Sequence, residues 1–236
     1  MRETGTATSS FGDRQAAVDA QGTRVPDDVA AQCAEVLWDT IGAAFRYSNE
    51  RNAEIDERES LMDFLRERAP AAVRRAVVRS GSASEEEVRS KTEMVLAMAG
   101  VWGHYVGSET ANQSLKFLWL EECLDGENPF CAGTFTRVLD VVSQPAKEGA
   151  DIKLGCKVVK MVSDTVAGKV IAWTEAGEQF EFDELVVTTP LGWLKKNLDA
   201  FEPRMPARFD QAVEALGYGS LDKVGQRRPH PLVKVP

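Results

Sequence analysis

A chain of 236 residues, 43% hydrophobic and 28% charged, has the composition of an ordinary globular protein and can bury a substantial core. No run approaches the ~18 uninterrupted apolar residues of a membrane span, and the opening MRETGTATSSFGDRQ is polar where a secretory leader needs an apolar stretch. The net charge of −9, from 28 basic and 37 acidic residues, leaves no visible basic face for direct nucleic-acid binding, while it suits both long-range steering of a cationic amine and an average soluble cytosolic protein.

Residues 1–30 are short of periodic apolar side chains. Ala17–Val25 reads as two short strands around a Gln21-Gly22 turn, and Pro26 with Asp27 marks a helix start. Three helical stretches follow. Leu37, Trp38, Ile41, Ala44 and Phe45 form the first apolar stripe; Leu61, Phe64, Leu65 and Val73 form the second, with an interruption at Pro70. The third opens on Ser84 and Glu87, an S-x-x-E capping box, and runs through Val88, Val95, Met98, Trp102 and Tyr105. The charged NERNAEIDERE between the first two reads as a solvated face or loop. Gly100, Gly103 and Gly107 suggest a close crossing or a helix end.

Residues 108–132 read as irregular. Thr134 is a candidate cap for a helix carrying Phe135, Val138, Leu139 and Val142 at i, i+3, i+4 and i+7. From Asp151 the period becomes that of strands: DIKLGCKVVKMVSD, GKVIAWTEAG and EQFEFDELVVTT, with turns at Thr165–Gly168 and Glu175–Gly177. The last run ends in Leu185-Val186-Val187, as in a strand buried on both faces of a parallel sheet, and Pro190 stops it. A short helix is expected over Ala207–Leu216. GQRRPHPLVKVP, with three prolines and three basic residues before the end, reads as a disordered tail.

Chemical motifs are sparse. Cys33, Cys123, Cys131 and Cys156 contain no CxxC pair and have no histidine nearby, so no metal site or thioredoxin-like pair is expected, and the thiols read as reduced and intracellular. The two histidines, His104 and His230, supply little for imidazole chemistry. GYGSLD at Gly217–Asp222 contains GxG but follows a helix and lacks a third glycine, so it fails the dinucleotide-binding context. There is no Walker A sequence and no GxSxG. Read from residues alone, this is a mixed α/β chain of unknown activity, with Pro190 a strand terminator and Lys223 a surface lysine.

Three segments in order go further. ENPFCAGTFTRVLDVVSQPAKEGADIKLGCKVVKMV, FDELVVTTPLGWLKKN with its continuation FEPRMP, and ALGYGSLDKV lie between Ser114 and Val224, nearly half the chain. Together they resemble the flavin-containing amine oxidases: polyamine oxidases, monoamine oxidases and flavin-dependent histone lysine demethylases. The first is similar to the family's helix leading into a strand whose valine meets the adenine end of FAD, which makes Val158 a cofactor contact. The second resembles the T-x-PLGxLK signature, which puts Thr188, Thr189 and Pro190 in the loop near the cofactor. The third resembles the segment whose lysine holds a water against the flavin nitrogen, which gives Lys223 the catalytic position; a lysine is a compact three-hydrogen donor whose pKa falls on burial. Trp119, Glu121 and Glu122 are candidates for the substrate channel, where a carboxylate attracts an amine.

The resemblance implies an α/β (mixed α+β) fold: part of an FAD-binding Rossmann-like domain plus part of a helical and β substrate domain. Residues 1–113 would belong to the substrate domain, 114–200 to the FAD-binding domain, 201–224 to a return into the substrate domain, and 225–236 to an aberrant tail. It implies FAD, a small-molecule amine substrate and an intracellular, cytoplasmic protein, with nucleus and peroxisome open. Family members begin with a strand–GxGxxG–helix unit that seats the FAD pyrophosphate and end with a glycine-rich segment. Neither is present in these 236 residues, so truncation at both ends is expected. The competing expectation is a non-catalytic fragment or protein-interaction module without FAD.

Overall fold

The computed structural model describes residues 4–9, 16–19, 21–79, 81, 84–121, 130–131 and 135–220. The chain mixes helix and sheet and divides into two units, Asp13–Gly126 with Gly219–Pro236, and Met1–Gly12 with Glu127–Tyr218.

The first of these is helical, with α1 (Asp27–Arg51), α2 (Leu61–Arg79) and α3 (Glu85–Val106). Asp27 and Asp28 sit in the first turn of α1, where carboxylates complement the helix dipole, and Pro26 precedes them. Cys33, Leu37, Ile41 and Ala44 follow the 3.6 period on α1 and are buried against Leu61, Leu65, Val73 and Val77 of α2 and Val95 and Ala99 of α3. Each fully buried leucine contributes roughly 1.5–3 kcal/mol through the apolar area taken from water. At the edge of this core Trp102 meets Trp38 and Phe45 edge to face, with ring centroids 6.0 and 5.7 Å apart. No described helix is long and apolar enough to cross a membrane.

Helix starts and stops follow local chemistry. Ser84 Oγ accepts from the Glu87 amide at 3.4 Å, and Gly107 ends α3 with φ +77°, a left-handed turn that needs glycine. Gly103 is also a close approach, since a Cβ there would lie 2.9 Å from the Ser108 carbonyl oxygen.

Three expectations for this unit are corrected. The two strands of Ala17–Val25 reduce to one antiparallel bridge, Val18 with Arg24, because the Asp19 carboxylate draws the Gln21 and Thr23 amides into the turn. Pro70 does not interrupt α2; it lies on the exposed side, where the carbonyl it leaves unpaired can meet water. The charged NERNAEIDERE is not wholly solvated, because Ile55 inserts into the core with 2% of its surface exposed.

Residues 108–121 run back along the helices through two single 3₁₀ turns, Thr110–Asn112 and Leu118–Leu120. Leu61 donates to the Gln113 carbonyl and Leu115 to the Glu59 carbonyl, both at 2.9 Å. The Gln113 side chain accepts from Trp102 Nε1 at 2.8 Å and donates to the Ser108 carbonyl at 2.7 Å.

In the other unit β1 (Thr8–Ser9) pairs antiparallel with β2 (Phe130–Cys131), and α4 (Thr136–Gly149) follows. Then come β3 (Val158–Asp164), β4 (Lys169–Thr174), β5 (Gln179–Phe182), α5 (Leu191–Leu194), β6 (Phe201–Glu202) and α6 (Ala207–Ala215). The main sheet has the order β5-β4-β3-β6. β3, β4 and β5 form an antiparallel meander, with Met161 opposite Ala172 and Ala172 opposite Phe180, while β6 joins β3 in parallel at Met161 and Phe201.

The strands are shorter than their sequence runs: β3 begins at Val158, not Asp151, and β5 ends at Phe182. The run Leu185–Val187 is therefore no buried parallel strand; no described strand pairs with it, and Val186 is 82% exposed. The α4 stripe forms a helix as expected, yet Phe135, Leu139 and Val142 are exposed. The Thr134 cap and the 225–236 tail lie outside the described residues.

Candidate functional site

Val158 opens β3, half-buried and opposite Thr174. The register shifts between Val158 and Lys160, so Val159 has no partner on β4, the mark of a bulge. The strand start is held to the following turn by the Glu175 amide, which donates to the Lys157 carbonyl at 2.9 Å, and by Lys157 Nζ on Glu175 at 2.6 Å.

The second candidate segment leaves β5 as extended chain. Peptide groups from Glu184 to Thr189 make no hydrogen bond to any described residue, so Thr188 and Thr189 present free donors and acceptors. Leu185 and Val187 line an apolar hollow of about 370 Å³ together with Met161, Phe201 and Phe209, while Val186 between them points away to solvent. Alternation of side chains is thus kept without a partner strand. Pro190 then turns the chain: its carbonyl accepts from the amides of Trp193 at 2.9 Å and Leu194 at 3.2 Å, which closes the short α5.

The structure brings this turn together with the start of the third segment. At Gly192 a Cβ would stand 2.8 Å from Cε1 of Tyr218, so the tyrosine ring occupies the place a side chain would need. Lys195 Nζ donates to the Glu214 carbonyl at 3.0 Å, tying the end of α5 to the last turn of α6. Gly192 and Lys195 of PLGWLK thus clasp α6 and the Tyr218 that follows it. Tyr218 and Lys195 carried no role in the sequence reading. A glycine inside a helical turn, which costs roughly 1 kcal/mol against alanine, was the signal that something must approach closely there. Lys223 lies outside the described residues.

In the helical unit, Trp119 is half-exposed and its amide donates to Ser48 Oγ at 3.1 Å. Burial pushes the Glu121 carboxyl above the ordinary glutamate range. Glu122 and His230 lie outside the described residues, and His104 is an exposed residue of α3. Among the described residues no cluster of three or more His, Cys, Asp or Glu could hold a metal ion.

The peptide groups of Thr188 and Thr189, unpaired among the described residues, are donors and acceptors open to a cofactor, while the space at Gly192 is filled by Tyr218. The donor set for the pyrophosphate is another matter, since no strand–GxGxxG–helix sequence occurs in the chain.

Comparison with known proteins bears on the family to which the chain belongs. Residues 3–233 match the model of the family described as flavin containing amine oxidoreductase. The chain is 35% identical over 114 residues to probable polyamine oxidase 4 of Arabidopsis thaliana, covering 48% of this chain and 22% of that protein. It is 34% identical over 107 residues to lysine-specific histone demethylase 1 homolog 2 of Oryza sativa subsp. japonica, covering 45% and 13%. A shorter stretch of 51 residues is 37% identical to the human peroxisomal N(1)-acetyl-spermine/spermidine oxidase, covering 21% and 10%. The matched stretches span about a quarter or less of the length of these relatives. With a family match that runs almost end to end, the chain belongs to the flavin-containing amine oxidoreductases, and FAD is its expected cofactor.

Proposed function

We propose that this chain carries part of the machinery of an FAD-dependent oxidase that acts on an amine, a polyamine by the names of its relatives. The net reaction takes an amine with hydrogen on the carbon beside nitrogen, oxygen and water to a carbonyl compound, the released amine and hydrogen peroxide. FAD, when bound, supplies the acceptor for the hydride and passes the electron pair to oxygen. The protein binds, orients and excludes water. Val158 contacts the adenine end, and Thr188, Thr189 and Pro190 hold the cofactor through their backbone groups. Lys223 holds the water beside the flavin ring. Residues 1–113 serve the substrate domain and 114–200 the FAD domain, with 201–224 returning toward the substrate side, in an intracellular protein.

The contact of Tyr218 on Gly192 carries this reading, because it joins two segments that resemble separate parts of the flavin site. The chain by itself, with no strand–GxGxxG–helix sequence to seat the pyrophosphate, is expected to be inactive; joined to that unit from a relative, supplied with FAD and then washed, it should keep a flavin absorption spectrum and release peroxide with spermine. A colourless protein that yields no peroxide overturns the proposal. A second reading, a chain without flavin that works through protein contacts, draws on one observation: the apolar face of α4, with Phe135 62%, Leu139 63% and Val142 71% exposed. The same spectrum separates the two.

A further inference from the structure

An open hollow of about 1240 Å³ lies between α1 and α2. Five arginines line it, Arg46, Arg68, Arg74, Arg75 and Arg79, against one carboxylate, Asp39. This concentration of positive charge stands out in a chain whose net charge is −9. Arg68, Arg75 and Arg79 follow the i, i+7, i+11 spacing of one helical stripe, so they form a row along α2. At 1.5 Å per residue the row is about 16 Å long.

Two of the five are engaged. Arg74 pairs with Glu85, Nη2 to Oε2 at 2.7 Å, and Arg68 lies over the Phe64 ring at 5.6 Å and beside Glu67. Arg46, Arg75 and Arg79 form no ion pair or hydrogen bond with any described residue. Between the arginines the lining is small or apolar: Gly42, Ala43, Ala71 and Ala72, with Trp38 44% and Val78 58% exposed at the edges. Charged walls over such a floor fit a chain that brings carboxylates and apolar side chains together.

We propose that this trough docks an acidic peptide segment of a protein partner, one that alternates carboxylates with apolar anchors. Guanidinium forks match carboxylates two bonds at a time, and the alanine floor lets a partner backbone approach. About five extended residues, at 3.3 Å each, cover the arginine row. A nucleic acid fits less well. Its backbone offers no apolar anchors for Trp38 and Val78, whereas a peptide brings carboxylate and apolar side chains on one strand. The inference is independent of flavin binding.

The test is fluorescence anisotropy of the purified chain with a labelled peptide of about ten residues alternating Glu with Leu. A twin with Gln for Glu and a labelled single-stranded oligonucleotide serve as controls. The Glu peptide should bind, weaken as salt rises, and lose about tenfold or more in affinity with the double variant Arg46→Gln/Arg75→Gln. Neither side chain has an ion-pair or hydrogen-bond partner among the described residues, so circular dichroism and the melting transition should stay as in the parent. Arg208→Gln, an equal type of charge change on α6 outside the trough, should leave affinity unchanged. The proposal is overturned if the Gln twin binds as well, if the double variant binds as the parent does, or if the oligonucleotide binds more tightly than the peptide.

Discussion

Replacing Ser48 by alanine tests how the segment bearing Trp119 and Glu121 is held. Ser48 is fully buried on α1; its Oγ accepts from the Trp119 amide at 3.1 Å and donates to the Lys116 carbonyl at 3.3 Å. Ser48→Ala leaves one donor and one acceptor without a partner, at ~1–3 kcal/mol for a fully buried pair. The second bond is long and Trp119 is 43% exposed, so water recovers part of the loss, and the lower half of that range applies. Alanine's better helix propensity returns a few tenths of a kcal/mol. The net expectation is a loss of about 1–1.5 kcal/mol, a fall of roughly 4–6 °C in the transition of a unit this size. Urea unfolding with an unchanged m-value measures it, and amide hydrogen exchange at Trp119 should accelerate while the α2 core does not change. An unaltered midpoint together with unaltered exchange at Trp119 would refute the reasoning.

Three further outcomes follow from the coordinates. Leu65 has no exposed surface, so Leu65→Ala should cost about 3–4 kcal/mol through lost transfer and the cavity left behind; a calorimetric shift under 1 kcal/mol would show that the core closes over the gap. Gly192→Ala puts a methyl 2.8 Å from Tyr218 Cε1, and the ring must swing away. The expected loss is about 1 kcal/mol in stability together with weaker flavin retention, and retention equal to the parent's would separate this turn from the cofactor. The Ser60 hydroxyl at 2.7 Å and amide at 3.0 Å donate to Asp63 and hold its carboxyl below the ordinary aspartate range. A depressed folded pKa stabilises above the unfolded value near ~3.9 and loses that contribution as pH falls through the folded value. Asp63→Asn should therefore be less stable than the parent at pH 7 by a gap that closes below about pH 4; a gap constant across that range would remove the carboxylate from the account.

The candidate site was legible as segments and not as contacts. FDELVVTTPLGWLKKN and ALGYGSLDKV each carried a resemblance, yet nothing local says that Tyr218 fills the place of a Gly192 side chain twenty-six residues earlier. The Ser60–Asp63 cap could have been read from its S-x-x-D spacing and was not. Val158 was placed inside a longer expected strand and in fact begins one, because the bulge at Val159 ends regular pairing there.

What the residues determined alone were the helices and the family. A 3.6 period over Cys33–Ala44, Leu61–Val77 and Val88–Trp102 is a local property, and so is the αL turn that Gly107 permits. Tertiary structure decided which apolar residues found a partner. Ile55 is buried although its neighbours are charged, because α1 and α2 leave room for it; Leu185–Val187 is apolar yet lacks a strand, because no described edge receives it. Ser48 and Trp119 are 71 residues apart in sequence. Periodicity reports what a segment can bury, whereas burial itself needs a second surface supplied from elsewhere in the chain.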